Sequence, residues 1–103
     1  MKFMTLSIYP VEKVTEIAAA SDKGWASVPK ERRPQAFYML MSVPFDVPPN
    51  SLVDFTISEA DSAEEISARV YPYMLAGATV HIIPLLEVAI AGGAKRAEKK
   101  YRG

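Results

Sequence analysis

The chain has 103 residues, half of them hydrophobic, and no cysteine, which fits one folded domain and excludes a disordered chain, a disulfide framework and a thiolate metal site. No apolar run approaches the ~20 residues of a membrane span, and Met1-Lys2-Phe3-Met4-Thr5 alternates like a strand rather than a signal peptide, so a cytoplasmic protein with no membrane partner is expected. The net charge of zero joins an acidic body, with seven Lys and Arg against eleven Asp and Glu over residues 1–94, to a basic tail with five against one over residues 95–103; a neutral total argues against wholesale nucleic-acid binding.

Residues 3–9 alternate Met4, Leu6 and Ile8 with Thr5, Ser7 and Tyr9, the period of a strand with unlike faces. Pro10 stops that strand and suits a first helical turn. Val11, Val14, Ile17, Ala18 and Ser21 then fall at helical spacing, with Gly24 as the expected stop. Trp25 to Arg33 reads as a connection, bounded by Pro29 and Pro34, in which Trp25 is a loop anchor. Residues 35–45 read as a second strand, Asp46 to Ser51 as a turn-rich link, and residues 52–58 as a third strand.

Ser62-Ala63-Glu64-Glu65 fits a capping box. Ile66, Val70, Tyr73 and Met74 continue it as a helical stripe, predicting a helix that is kinked at Pro72 and runs to Gly77. Residues 79–83 form a fourth strand, with Pro84 pointing to a sheet edge or an early end. Residues 85–97 are expected to form a C-terminal helix weakened by Gly92-Gly93, ahead of the basic tail. The order β-α-β-β-α-β is the α+β, ferredoxin-like arrangement: a four-stranded antiparallel sheet with two helices on one face, here followed by a C-terminal helical extension.

Alternation sorts the strands into an apolar set and a mixed set. Met4, Leu6, Ile8, Phe37, Met39, Met41, Val43, Val53, Phe55, Ile57, Val80 and Ile82 are expected to face the helices. The other face is expected to carry Phe3, Thr5, Ser7, Tyr9, Tyr38, Leu40, Ser42, Asp54, Thr56, Ser58, Thr79, His81 and Ile83. Its apolar area predicts a homodimer joined sheet to sheet through the mixed face.

The element order over residues 2–84, the opening Met1-Lys2-Phe3-Met4-Thr5 strand and the extra C-terminal segment resemble the dimeric α/β-barrel superfamily, especially its short uncharacterised members. The resemblance implies a homodimer with a ligand cavity between sheet and helices or inside the barrel. It also admits a cofactor-free monooxygenase- or isomerase-like activity. None of that superfamily's catalytic motifs is matched here, so no catalytic residue is carried over.

Two constellations are chemically suggestive. His81 and Asp54, placed on one face by the alternation, are candidates for general acid–base work if they share a cavity; the plainer reading makes them interface hydrogen-bonding groups. Ser7, Tyr9, Tyr38, Ser42, Thr56 and Thr79 form a hydroxyl-rich set suited to orienting a small, partly apolar ligand, or to internal barrel packing. Lys30-Glu31-Arg32-Arg33 and the tail from Lys95 to Arg102 offer phosphate contacts to an accessory nucleic-acid-binding role, against the commoner reading of solvated surface. Neither a phosphate-binding glycine loop, a zinc-ligand set nor a nucleophile elbow is present, and no cofactor is expected. The expected function is that of a homodimeric barrel protein holding a small ligand, with the enzyme and the nucleic-acid accessory protein as alternatives.

Overall fold

Residues 1–88 and Lys99 are described by a computed structural model. The first alternating segment forms β1, Lys2–Pro10. A 3-10 turn over Val11–Lys13 follows, then α1, Val14–Ala26. Strands β2, Ala36–Met39, and β3, Ser51–Glu59, precede α2, Ala63–Leu75, and β4, Thr79–Leu85. The sheet order is β2-β3-β1-β4 with every neighbouring pair antiparallel. This is the expected ferredoxin-like α+β fold. The expected C-terminal helix beyond Leu85, the domain boundary at residue 94 and the basic tail fall largely outside the described residues.

Several boundaries differ from expectation. Helix α1 continues through Gly24 to Ala26, so Trp25 belongs to its last turn rather than to a loop; Ser27 Oγ then donates to the Gly24 carbonyl at 2.7 Å. A Cβ at Gly24 would lie 3.5 Å from the Arg69 carbonyl oxygen, an ordinary contact, so the packing of α1 on α2 does not require glycine there. Strand β2 ends at Met39 instead of running to residue 45. After Leu40 donates its N–H to the Val53 carbonyl at 2.9 Å, the chain leaves the sheet. Prolines 44, 48 and 49 lack donors for a further ladder.

Helix α2 continues past Pro72 for three residues. It ends in a Schellman arrangement: Ala78 N–H donates to Tyr73 O at 2.9 Å and Gly77 N–H to Met74 O at 3.1 Å. Gly77 has φ +110°, which L-residues rarely adopt. At the other end, Ser62 Oγ accepts from the Glu65 N–H at 3.3 Å, while the Glu65 carboxylate accepts from the Asp61 N–H at 2.8 Å. Ser62→Ala is expected to lower stability by about 1 kcal/mol, read as a reduced melting temperature; an unchanged melt would show that the cap contributes nothing.

The packing reverses part of the expected face assignment. Phe3, Thr5, Ser7 and Tyr9 are buried, whereas Met4, Leu6 and Ile8 are only half-buried. Phe3 and Tyr9 join Ile17 of α1 and Ile66, Val70 and Tyr73 of α2 in the core. Cross-strand partners share a face, and β3 aligns Asp54 with Ser7, Thr56 with Thr5 and Ser58 with Phe3. The helix-facing side of β1 and β3 is therefore the polar one. On β2 and β4 the expectation holds: Phe37 aligns with Thr56, Met39 with Asp54, Val80 with Ser7 and Ile82 with Thr5. The open side carries Met4, Leu6, Ile8, Val53, Phe55, Ile57, Tyr38 and Ile83, so Val53 too lies opposite its expected face, and it is buried there.

Candidate functional site

Thr5, Ser7, Thr56 and Ser58 are too short to fill the space between a sheet and two helices, which is normally occupied by large apolar side chains. The result is a cavity of about 160 Å³ between the centre of the sheet and α1. Ser7, Tyr9, Asp54 and Thr56 form its floor, with Phe37 at the β2 side. Helix α1 contributes Ile17, Ser21, Asp22 and Trp25, and α2 contributes Tyr73. The Trp25 and Phe37 rings meet edge to face, with centroids 5.4 Å apart and planes at 78°, so the end of α1 and β2 together form an aromatic rim. A smaller space of about 30 Å³ adjoins it, sharing Trp25, Thr56 and Tyr73 and adding Arg32 and Arg69.

The polar centre of the cavity is a tyrosine–aspartate pair. Tyr9 is 4 % exposed and Asp54 8 %, and the Tyr9 hydroxyl donates to Asp54 Oδ2 at 2.9 Å. Burial pushes the Asp54 carboxyl above its usual range, with the Tyr9 hydrogen bond pulling the other way because it favours the ionised form. Burial also raises the Tyr9 phenol far above its ordinary value, and the adjacent carboxylate adds to that rise through the hydrogen bond and its charge. Tyr73, whose hydroxyl donates to Ser21 Oγ at 3.1 Å, is raised chiefly by burial, with the Ser21 contact opposing the shift. An ionised carboxylate with one phenolic donor retains acceptor capacity for a further donor.

The adjoining arginines are engaged elsewhere. Arg69 donates to Glu65, to the Arg32 carbonyl at 3.2 Å and to the Glu59 carbonyl at 3.5 Å. Arg32 pairs with Asp61 at 3.6 Å and Glu65 at 3.5 Å. The Asp61 N–H, first, and then the charges of Arg69 and Arg32 hold Glu65 below its ordinary carboxylate value. These contacts tie the 3-10 turn at Lys30–Arg32 to α2 beside the cavity.

The residues singled out by sequence divide between the two sides of the sheet. Ser7, Tyr9, Thr56 and Asp54 meet at the cavity. His81 does not: it aligns with Leu6 on the open side, whereas Asp54 aligns with Ser7 on the helix side. The expected placement of His81 and Asp54 on one face is corrected, and with it the shared acid–base cavity. Tyr38 also lies on the open side, its ring tilted at 35° against Phe55 with centroids 5.5 Å apart. Thr79 aligns with Ile8 on that side, and Ser42 sits in the exposed segment after β2. Sequence reasoning missed Ser21, Asp22 and Tyr73, which reach the cavity from helices; Ser21 and Tyr73 had been read only as members of helical stripes. It also took Phe37 as ordinary core and Trp25 as a loop residue. Among the described residues no group of three or more His, Cys, Asp or Glu is arranged to hold a metal ion, and no helix is long and apolar enough to cross a membrane.

No protein-family model matches the chain, and no curated protein matches its sequence. Among solved structures, the structure of Rv0793 from Mycobacterium tuberculosis is similar with a TM-score of 0.48 and 12% sequence identity, covering 86% of this chain and 99% of that one.

Proposed function

We propose that this protein binds a small, partly apolar molecule in the cavity between sheet and α1, and does so as a homodimer. The observation that carries the first part is the buried Tyr9–Asp54 pair at the floor of a cavity with an aromatic rim. A few fixed polar groups within apolar walls are the ordinary composition of a ligand site. The volume, about 160 Å³, compares with the ~150 Å³ of an engineered cavity that admits benzene, so the ligand is about the size of one substituted ring.

Trp25 is the chain's only tryptophan and stands at the rim, so its fluorescence reports occupancy. Titration with benzyl alcohol is expected to give a saturable change. Thr56→Leu, which extends a side chain into the cavity, is expected to remove that change without altering the circular dichroism spectrum. A linear, non-saturating response in the wild-type protein would refute the site.

The expected joining through the mixed face is corrected, because Phe3, Thr5, Ser7, Tyr9 and Asp54 of that face are buried on the helix side; it is the opposite, open side of the sheet that supports the homodimer reading. An antiparallel sheet with one solvated face normally turns its polar residues outward; here Leu6, Ile8, Phe55 and Ile57 point away from both helices while Thr5, Ser7, Asp54 and Thr56 point toward them. Tyr38 is 60% exposed and Ile83 38%. The segment after β2 reaches this side, where Phe45 borders a groove with Leu6, Ile8 and Ile83. A second copy satisfies such a face by sheet-on-sheet packing, and a twofold arrangement makes the contact self-complementary.

A further inference from the structure

We infer that the cavity selects a small organic cation, an ammonium group carried on a single ring or short apolar stem, with Asp54 as its counter-charge and Tyr9, Trp25 and Phe37 as its walls. This inference rests on the ligand-binding reading of the same cavity and specifies its chemistry.

Three observations lead to that class. First, the charged side chains lining the 160 Å³ space are Asp54 and Asp22; among the described residues no Lys, Arg or His lines it. An anion there would face the buried Asp54 carboxylate, where like charges repel more strongly than in water, with the exposed Asp22 adding to the repulsion. Arg32 and Arg69 stand at the smaller neighbouring space, but their charges are engaged by Asp61 and Glu65. Second, Asp54 is buried and, among the described residues, its side chain accepts from one neutral hydroxyl, that of Tyr9. An incoming ammonium donor offsets the cost of holding that carboxylate away from water, whereas a neutral ligand leaves the cost in place. Third, the walls are aromatic, and the faces of Trp and Tyr attract cations within about 6 Å of a ring centroid. Trp25 and Phe37 meet edge to face, and Tyr9 and Tyr73 line the same cavity.

Cation binding is also linked to protons. The titratable groups around Asp54 are Tyr9 from β1, Asp22 from α1 and Tyr73 from α2, while β2 presents Phe37 and Met39. Both tyrosines stay neutral over the acid to neutral range, their phenols being raised. Ionisation of Asp54 therefore sets the main pH dependence, and affinity for a cation rises from acid to neutral pH.

The test compares three probes of one shape by Trp25 fluorescence and calorimetry at neutral pH: benzylamine, benzyl alcohol and benzoate. Benzylamine is expected to bind about tenfold or more tightly than benzyl alcohol, and benzoate weakest. Asp54→Asn is expected to abolish the preference, so that this variant binds benzylamine no more tightly than it binds benzyl alcohol. Asp22→Asn, at an exposed residue lining the cavity, is expected to weaken benzylamine about threefold. Equal binding of benzylamine and benzyl alcohol to the wild-type protein would overturn cation selection and leave the ligand cavity standing. Binding of none of the three would remove both readings. Benzylamine affinity that stays constant from acid to neutral pH would overturn the assignment of Asp54 as the counter-charge.

Discussion

Leu6→Lys is expected to turn the proposed homodimer into a folded monomer, measured as halved mass in light scattering with an unchanged circular dichroism spectrum. Leu6 lies on a central strand, aligned with Phe55 on one side and His81 on the other, and points away from the core that α1 and α2 complete. Its side chain is half-buried in the single chain, so a lysine there reaches water without disturbing Ile17, Ile66 or Val70. In a twofold interface the substitution counts twice. Each leucine has only about half of its surface left to bury, so two of them contribute roughly 1.5–3 kcal/mol together. The dissociation constant is therefore expected to rise about ten- to a hundredfold. A wild-type protein that is already monomeric at micromolar concentration, or a Leu6→Lys variant with undiminished dimer affinity, would reject the sheet-to-sheet assembly.

Tyr9→Phe is expected to cost about 1–3 kcal/mol of stability at neutral pH, the range for leaving a buried polar group without its partner. The lost hydroxyl is the donor to Asp54 Oδ2. The pH dependence distinguishes this cause from lost packing. Asp54 has a raised value in the folded protein, so the folded state favours its protonated form. That preference stabilises the fold fully below the unfolded value of about 3.9 and is lost as pH rises through the higher folded value. Removing the Tyr9 donor raises the folded value further. The penalty of Tyr9→Phe is therefore largest at neutral pH and shrinks in acid. Asp54→Asn behaves oppositely: relative to wild type it raises the melting temperature at neutral pH, and that gain disappears below the ordinary aspartate range. A Tyr9→Phe penalty independent of pH would show that the phenol acts by packing alone.

Much of the scaffold was legible. Period-two alternation marked β1 and β3, Ser62 with Glu65 marked the start of α2, and Pro84 marked an edge strand. Misread boundaries have local causes. Gly24 suggests a stop because glycine is a poor helix former, but a single glycine is tolerated inside a helix and α1 runs on to Ala26. Residues 41–45 kept a strand-like alternation, but they leave the ladder ahead of Pro44.

The candidate site was half legible. Ser7, Tyr9, Asp54 and Thr56 were marked as a polar strand set, yet nothing in the alternation says which side of the sheet the helices cover. Alternation supplies a period and leaves the phase open. The crossover from β1 through α1 to β2, and from β3 through α2 to β4, places both helices on one side by handedness. The register of β1 against β3 then determines that Ser7 and Asp54 lie beneath them. Assigning the larger apolar set to the helices was reasonable for a chain that folds alone, but this chain turns much of that set outward.

The amino-acid sequence by itself determined the element order, the cap of α2, the charge division between body and tail, and the existence of two unlike strand faces, because each depends on local spacing or local backbone chemistry. Only the tertiary structure decided that the polar side of β1 and β3 is the inner one, that His81 and Asp54 lie on opposite sides of the sheet, and that Trp25, Asp22 and Tyr73 line one cavity with Asp54. Those outcomes depend on crossover handedness and cross-strand register, which join residues far apart in the chain and leave no periodic trace in it.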